Sequence, residues 1–332
     1  MNRKKLISLC LVLLLLLSVL AGCANASEPT ENDQAQTVPP VSSPAVEQKV
    51  APVSFSDMAG HEITLDEPAT RIVALTAADC EILCALGAGD LLVGRGEYCD
   101  YPAEVMNISS VQSGSETNIE QIVALKPQVL LMSNMAQTED QIAALENAGI
   151  KVVVSDVKDI EGVYTAITMI GKLAGRDTEA VALIDHMKIT FSDIAAKVPA
   201  DGAKKTIYFE VSPLEYGLWA AGNNTFMNEI AQMLGLTNIF SDVDTWAEIS
   251  EEQVIARNPD YIVTITMFNG QGPKPEEEIV ARKGWENITA VKNAAILNLQ
   301  NNELSRPGPR LADGANMLYE FIYVTMANKN AA

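Results

Sequence analysis

The sequence predicts two α/β lobes joined by a long helix, and three observations support this fold class. Short apolar runs typical of buried strands alternate with helical segments in two separate parts of the chain. A segment with helical periodicity and no strand signal lies between these parts, and a ten-residue pattern in the first part recurs in the second. The length of 332 residues agrees with two lobes, because it is too long for one small domain and short for three.

The first 22 residues have the layout of a secretory signal. Basic residues at positions 3 to 5 precede an apolar run over residues 6–20, and the sequence Leu-Ala-Gly-Cys then ends at Cys23. This end resembles the lipobox of bacterial lipoproteins, in which cleavage precedes the cysteine and its thiol carries a lipid. We therefore predict a signal peptide over residues 1–22 and a protein held by lipid at the extracytoplasmic face of the cell membrane. The alternatives are an uncleaved membrane anchor and a plain signal cut elsewhere.

Residues 23–52 are predicted to hold the lipidated Cys23 and a disordered spacer. The chain here is rich in Glu, Gln, Ser, Thr and Pro. Such a composition contains too few large apolar side chains to offset the entropy lost on folding. We expect the spacer to let the folded body stand away from the membrane.

Residues 53–158 are predicted to form the N-terminal lobe. Ala59-Gly60 between two short apolar runs indicates a hairpin at its start. Nearly continuous apolar runs predict strands buried on both faces of a parallel sheet, at residues 72–75, 91–93, 129–132 and 152–154. Helices are predicted at residues 79–86 and 138–148, and Gly149 is placed to cap the second helix.

Residues 159–199 are predicted to connect the two lobes. Val163, Ile167 and Ile170 recur at helical spacing, and the apolar pattern resumes after an interruption at residues 175–177. We expect one long or bent helix. Such a connector permits only small hinge motions, because its backbone amides are already hydrogen-bonded.

Residues 200–332 repeat the α/β pattern and are predicted to form the C-terminal lobe. Strands are predicted at residues 206–211, 261–266 and 295–299, and a helix at residues 226–234 ends at Gly235.

Residues 118–127 and residues 250–259 share the ten-residue pattern that recurs in the chain. Both segments carry Glu, Gln, Ala and Pro at equivalent positions, and each is followed at once by a predicted strand. Asn118 and Ser250 are suitable N-caps with Gln three residues later, the capping-box pattern. A chance match between two short helices is the alternative. Two similar lobes would place the carboxyl ends of their strands, where α/β sheets bind ligands, around a cleft.

Composition excludes two classes of function. Asp and Glu outnumber Lys and Arg by 43 to 23, a net charge of −20, which argues against nucleic-acid binding. His61 and His186 are the only histidines and lie far apart in sequence, so a metal site of several imidazoles is excluded and we predict no resident metal or cofactor. Five cysteines are too few for a disulfide scaffold.

Several motifs lie between residue 57 and the C-terminus. They are Arg-Ile-Val-Ala-Leu-Thr from residue 71, Ala-Leu-Gly-Ala-Gly-Asp-Leu-Leu-Val-Gly from 85, Tyr-Cys-Asp-Tyr-Pro from 98, the two echoed helices, and Gly-Trp-Glu-Asn-Ile-Thr-Ala-Val-Lys-Asn from 284. Together they resemble the iron and cobalamin periplasmic-binding family of ABC importers, and its cobalamin-binding branch most closely. The resemblance implies two Rossmann-like lobes joined by a long connecting helix, a large chelate in the cleft, and delivery to a permease driven by an ATPase.

The resemblance also implies ligand-binding residues. Tyr98, Trp246 and Arg306 match the cobalamin-binding branch, and Arg310 ends the motif Ser-Arg-Pro-Gly-Pro-Arg that contains Arg306. Flat aromatic faces suit the edge of a corrinoid, and Arg can donate to its amide rim or phosphate. Ordinary aromatic packing and a solvated loop charge are the alternatives. Trp219 is a further candidate, which either lines the cleft or fills the core.

One segment departs from the cobalamin-binding branch. Where that branch carries another Trp in its N-terminal lobe, residues 113–117 read Ser-Gly-Ser-Glu-Thr. A ferric siderophore or haem therefore stays open as the ligand beside a corrinoid.

Glu120 and Glu252 match the carboxylates that, in this family, lie at the outer tip of each lobe and pair with permease arginines. The alternative is that both only favour the positive end of a helix dipole, which is worth about 0.3–1 kcal/mol. Charge pairs at a rim mainly set orientation and association rate, which suits transient docking.

The remaining candidates have structural interpretations. Cys80 and Cys84 are predicted to be small buried side chains, and Cys99 could approach Cys84. Trp285 is expected to pack the C-terminal lobe, and His186 to lie on the surface. Motifs of hydrolases and nucleotide-binding enzymes are absent from the sequence. We predict a monomeric binding protein rather than an enzyme; an envelope enzyme or a structural lipoprotein is the alternative from another class.

Overall fold

In the computed structural model, the folded body is built on two sheets of mainly parallel strands. The structure describes residues 51–114, 117–133, 139–200, 204–268, 270–300 and 302–331. The predicted signal, Cys23 and the predicted spacer up to residue 50 lie outside the described residues. Among the helices of the described residues, none combines the length and the apolar character that crossing a bilayer requires.

The first sheet contains five parallel strands in the spatial order β5-β4-β3-β6-β7. Its strands are β3 Ile72–Ala74, β4 Leu92–Gly96, β5 Ser110–Val111, β6 Val129–Met132 and β7 Lys151–Val154. Ile72 and Leu131 join the core cluster on one face, whereas Val73 and Leu130 join the cluster on the other. Because both faces are buried, these strands are continuous apolar runs. The antiparallel hairpin of β1 (Val53–Ser56) and β2 (Glu62–Leu65) precedes the sheet, as predicted.

The second sheet contains six strands in the order β11-β9-β8-β12-β13, with β10 also paired to β8. Its strands are β8 Lys205–Ser212, β9 Trp219–Ala221, β10 Leu236–Asn238, β11 Trp246–Glu248, β12 Tyr261–Thr264 and β13 Ile296–Asn298. Strands β10, β8, β12 and β13 run parallel, whereas β9 is antiparallel to both β8 and β11. The α/β fold class is therefore confirmed, with an antiparallel edge that the sequence did not predict.

Helices follow most strands, and side-chain caps fix several of their starting points. The helices are α1 Ala77–Ala85, α2 Ile119–Ala124, α3 Glu139–Asn147, α4 Ile160–Ala174, α5 Asp177–Lys197, α6 Phe226–Met233, α7 Glu251–Arg257, α8 Pro275–Ala281, α9 Thr289–Lys292, α10 Leu311–Tyr319 and α11 Met326–Ala331. Five cap side chains accept a hydrogen bond from the amide three residues later: Thr76, Asn118, Asp159, Thr225 and Ser250. These bonds satisfy amides that have no partner inside the helix.

The sequence predicts one long or bent helix for the connecting segment, and the structure has two helices, α4 and α5, that meet at the interruption seen in the sequence. Helix α4 ends at Gly175, whose φ of 63° is the left-handed conformation of a C-terminal cap, and α5 begins two residues later. A Cβ at Gly171 would lie 2.6 Å from the Cβ of Ala180, so a glycine is required where α4 and α5 meet. Helix α5 has 21 residues, or about 31 Å at 1.5 Å per residue, and is the long helix between the two sheets.

The two lobes share packing as well as a connector. The larger core cluster contains side chains from both sheets and from both connecting helices. At the start of α4, the Ile160 amide donates to Glu229 Oε2 at 2.7 Å, and the Phe226 amide donates to the Lys158 carbonyl at 2.8 Å. These bonds fix the first turn of α6 in the second lobe against the beginning of the connector.

Candidate functional site

A cleft of about 520 Å³ opens where strands of both sheets end. The residues that line it are Asp100, Tyr101, Met267, Phe268, Gln300, Asn302, Glu303 and Arg310. They follow the carboxyl ends of β4, β12 and β13 in the chain. This location agrees with the expectation that the two lobes present their strand ends to a shared cleft.

The first wall of the cleft is the turn formed by residues 97–101, directly after β4. A Cβ at Gly96 would lie 2.2 Å from the Leu75 carbonyl oxygen, so only glycine lets β4 pass this close to the end of β3. The buried Arg95 guanidinium donates to the Gly96 and Glu97 carbonyls and supports the turn. Tyr98 points outward from this turn, and its side chain is 69% exposed.

Arg306 crosses from the second lobe to the first. Its Nη1 donates to Asp100 Oδ1 at 2.6 Å and to Glu81 Oε1 at 2.9 Å, and its Nη2 donates to the Tyr98 carbonyl at 2.9 Å. Burial acts to lower the pKa of the Arg306 guanidinium, but the hydrogen bonds to Asp100 and Glu81 outweigh it and raise the pKa. Arg306 therefore stays charged, and its charge is used by the protein itself.

Arg310 makes a second connection to the same carboxylate. Its Nε and Nη2 donate to the two oxygens of Glu81 at 2.8 and 2.7 Å, the bidentate geometry that favours Arg over Lys. The guanidinium also lies 4.1 Å from the ring centroid of Tyr101, and Nη1 is 3.5 Å from Glu303 Oε1. Both arginines have side chains that are only 11% exposed.

We call Arg306, Arg310, Glu81, Asp100 and Glu303 the arginine network. Glu81 is its centre: this buried side chain of α1 accepts from both guanidiniums. The network contains three carboxylates and two cations, so its net charge is negative. Among the described residues that line the cleft, Arg310 is the single cation.

Trp219 and Trp246, the two tryptophans named as ligand-binding candidates, lie on the antiparallel edge of the second sheet. In the β9–β11 register, Trp246 is opposite Ala221 and Trp219 is opposite Glu248, so both tryptophans occupy the same face of this edge. The ring of Trp246 is half-buried and packs on Phe226, with centroids 5.8 Å apart. Trp219 is 39% exposed. Neither tryptophan is among the residues that line the cleft.

Sequence reasoning missed several exposed apolar side chains near the strand ends. Met267, which lines the cleft, is 68% exposed, and Tyr216 is 75% exposed on the short helix that precedes β9. Tyr101 was inside a recognised motif, yet its stacking on Arg310 depends on a residue more than 200 positions away. Met267 could have been found, because it follows a predicted strand at its carboxyl end.

Glu120 and Glu252 occupy equivalent exposed positions in the first turns of α2 and α7. The Ser250 side chain and Gln253 form a reciprocal capping box at α7. At α2 the Asn118 side chain caps Gln121, but the Gln121 side chain donates to the Ser110 carbonyl instead. The backbone amide of Glu252 and then the Ser250 hydroxyl lower the pKa of the Glu252 carboxyl.

The remaining candidates have mainly structural positions. Trp285 is fully buried, as predicted, and His186 is exposed. Cys80 and Cys99 are buried and their thiols share the Ala74 carbonyl as acceptor, whereas Cys84 is half-buried. In the described part of the chain, no group of three or more His, Cys, Asp or Glu side chains is arranged to hold a metal ion.

Comparison with known proteins places this fold and cleft in a family. The family model described as periplasmic binding protein matches residues 72–303. The ABC transporter substrate-binding lipoprotein YvrC of Bacillus subtilis is 33% identical over 96% of this chain and 98% of its own length. The cobalamin-binding protein of Halobacterium salinarum is 28% identical over 79% of this chain and 72% of its own length.

A solved structure supports the same assignment. A possible iron-binding, periplasmic solute-binding protein from Staphylococcus epidermidis superposes with a TM-score of 0.65 at 32% identity, covering 77% of this chain and 100% of that one. The resemblance deduced from the sequence motifs is thus confirmed by independent matches in sequence and in structure. The chain belongs to the periplasmic binding protein family.

Proposed function

We propose that the protein is the substrate-binding lipoprotein of an ABC importer and that it captures a corrinoid in the cleft. Membership of the family and 33% identity to an ABC transporter substrate-binding lipoprotein support the transport role. The relative from Halobacterium salinarum, described as cobalamin-binding, supports the ligand class.

The observation that carries the choice of ligand is the pairing of Arg306 and Arg310 with carboxylates of the protein itself. Arg306 and Arg310 already bind Glu81, and Asp100 and Glu303 add further negative charge. A ligand with carboxylates would have to displace these partners or accept repulsion from them. A corrinoid presents mostly neutral amide groups, which Gln300 and Asn302 of the cleft can pair with. The exposed Tyr98 and Met267 offer apolar contact to a macrocycle.

A ferric siderophore or haem is the second candidate of the same transport class. The structure at 32% identity from Staphylococcus epidermidis is a possible iron-binding protein, which favours an iron chelate. Haem carries two carboxylates, so the acidic arginine network makes it the less suitable of the two macrocycles.

The experiment that tests the ligand uses the full chain, purified in detergent and mixed separately with cobalamin, haem and a ferric hydroxamate. Coelution read by visible absorbance and quenching of tryptophan fluorescence report binding. We expect one cobalamin per chain, released unchanged on dilution. Tight binding of an iron chelate without binding of cobalamin would overturn the corrinoid proposal, and turnover of the ligand would overturn the binding-protein class.

Delivery completes the proposed function. We propose that lipid on Cys23 anchors the protein, that it acts as a monomer, and that Glu120 and Glu252 contact arginines of the permease. The support is the equivalent and exposed placement of the two carboxylates on α2 and α7. Mass spectrometry of the chain isolated from membranes tests the anchor, since cleavage of the signal removes residues 1–22 and lipidation adds acyl mass at Cys23.

A further inference from the structure

We propose that Cys80 and Cys99 form a disulfide that joins helix α1 to the turn at the cleft. Cys80 Sγ lies 3.7 Å and Cys99 Sγ 3.8 Å from one acceptor, the Ala74 carbonyl oxygen. Because both sulfur atoms approach the same oxygen, the two thiols are neighbours in the core of the first lobe. The structure shows the reduced form of this pair. The inference is independent of which ligand the cleft takes, and it rests on the extracytoplasmic location, where disulfides persist.

The third cysteine of the folded body provides a contrast. Cys84 lies one turn after Cys80 on α1, is half-buried, and lies against Gly89. Cys80 and Cys99 are both fully buried. A buried cysteine alone behaves as a small apolar side chain, but two buried thiols that come from different elements and share one acceptor are neighbours, and proximity is the first requirement of a disulfide.

The pair is placed where a crosslink would act on the cleft. Cys80 precedes Glu81, the centre of the arginine network, and Cys99 lies between Tyr98 and Asp100, which both accept hydrogen bonds from Arg306. A Cys80–Cys99 bond would therefore join the two elements of the first lobe that hold Arg306. The disulfide keeps the Arg306 acceptors on α1 and on the turn at a fixed distance from each other when the lobes move.

The bond forms by thiol–disulfide exchange with an external disulfide as oxidant. One cysteine thiolate attacks that disulfide and releases one thiol; the second cysteine then attacks the mixed disulfide at the protein sulfur and releases the other. Two electrons pass to the oxidant, and the two cysteine protons end on the released thiols. The neighbouring Cys99 thiol, and then burial, raise the pKa of Cys80 well above its ordinary value. Exchange is therefore slow in the folded protein, and oxidation belongs to folding.

The test refolds the full chain from denaturant with oxidised glutathione or with a reductant, then alkylates free thiols and maps peptides by mass spectrometry without reduction. We expect a crosslinked peptide pair containing Cys80 and Cys99 after oxidative refolding, with Cys84 alkylated. The oxidised form should melt roughly 5–10 °C above the reduced form.

Alanine variants make the result specific. Cys84→Ala should leave the crosslink and the melting difference intact. Cys80→Ala and Cys99→Ala should each abolish the crosslink and the melting difference, and should leave the remaining cysteine of the pair alkylated. The stability of each variant is compared with that of the reduced parent, and the peptide map reports the crosslink even where a variant is destabilised. Recovery of both Cys80 and Cys99 as alkylated thiols after oxidative refolding, or a crosslink that uses Cys84, would overturn the proposal.

Discussion

Two buried clusters of Arg and carboxylate side chains differ in position rather than in chemistry. In the second lobe, the Arg282 guanidinium donates to both carboxylate oxygens of Glu210 at 2.6 and 3.0 Å and also forms an ion pair with Glu278. The same guanidinium lies 4.5 Å from the ring centroid of Trp285. All four residues belong to one lobe. The arginine network has the same kind of bidentate bonds, but its cations come from one lobe and its central carboxylate from the other.

The difference shows what turns an ion cluster into part of a ligand site. The Arg282 side chain is 2% exposed, its cluster joins β8 to α8 inside the lobe, and none of its residues is among those that line the cleft. The arginine network reaches the cleft wall through Arg310, Asp100 and Glu303. A buried cation is therefore not itself a sign of a binding site; its place at the strand ends and across the two lobes is the informative feature.

The largest effect is expected from breaking the cluster in the second lobe. Arg282→Met removes the partner of Glu210, a carboxylate whose pKa is already raised by burial despite the bonds from Arg282. The uncompensated charge should lower the free energy of unfolding by about 3–5 kcal/mol in urea titrations. Lys205→Met is the control, because Lys205 is exposed at the surface and its pair with Asp260 should contribute at most about 1 kcal/mol. Equal losses in both variants would refute the distinction.

A buried carboxylate with only neutral donors should respond to pH instead. Asp79 is fully buried and hydrogen-bonded by Thr76 and Ser155; burial raises its pKa to about 6, partly offset by those bonds. The folded state therefore binds a proton that the unfolded state has lost between about pH 4 and 6, so stability falls as pH rises through this window, by about 3 kcal/mol.

Asp79→Asn imitates the protonated side chain and should remove this component. Its free energy of unfolding, measured by urea titration from pH 4 to 8, should exceed that of the parent above pH 6 and match it near pH 4. A parent and variant that change in parallel over the whole range would contradict the raised pKa of Asp79.

The third prediction concerns the centre of the arginine network. Glu81→Gln keeps the side-chain shape but removes the charge that both Arg306 and Arg310 bind, and should lower the free energy of unfolding by about 2 kcal/mol. It should also make the cleft less acidic and raise haem affinity about threefold to tenfold, measured by Soret titration.

The matched control is the same substitution in the other cluster. Glu278→Gln weakens a bond to Arg282 and should reduce stability without changing haem affinity. If Glu81→Gln leaves haem affinity unchanged, or if Glu278→Gln raises it equally, the charge argument for a neutral ligand fails.

The sequence predicted those features that depend on near neighbours in the chain. The strands of the first sheet are continuous apolar runs, and the Asn118 and Ser250 caps lie three residues from their amide donors. Strands β5, β9, β10 and β11 were missed, because strands of only two or three residues show almost no periodicity. The pairing of Glu81 with Arg306 spans 225 positions and depends on how the lobes meet. Likewise, Cys80 and Cys84 share a helix face, and only packing decides which of them Cys99 meets.

The smallest effect on the folded protein is expected at α2 and α7, where substitutions should change uptake without changing the free energy of unfolding. Glu120→Ala with Glu252→Ala removes two exposed carboxylates and should leave the free energy of unfolding nearly unchanged. Ligand affinity should be unchanged, whereas uptake by cells should be lost if both carboxylates orient the protein on its permease. Glu179→Ala, an exposed carboxylate in the first turn of α5, is the matched control and should leave uptake intact. Unchanged uptake in the double variant would refute docking through these residues.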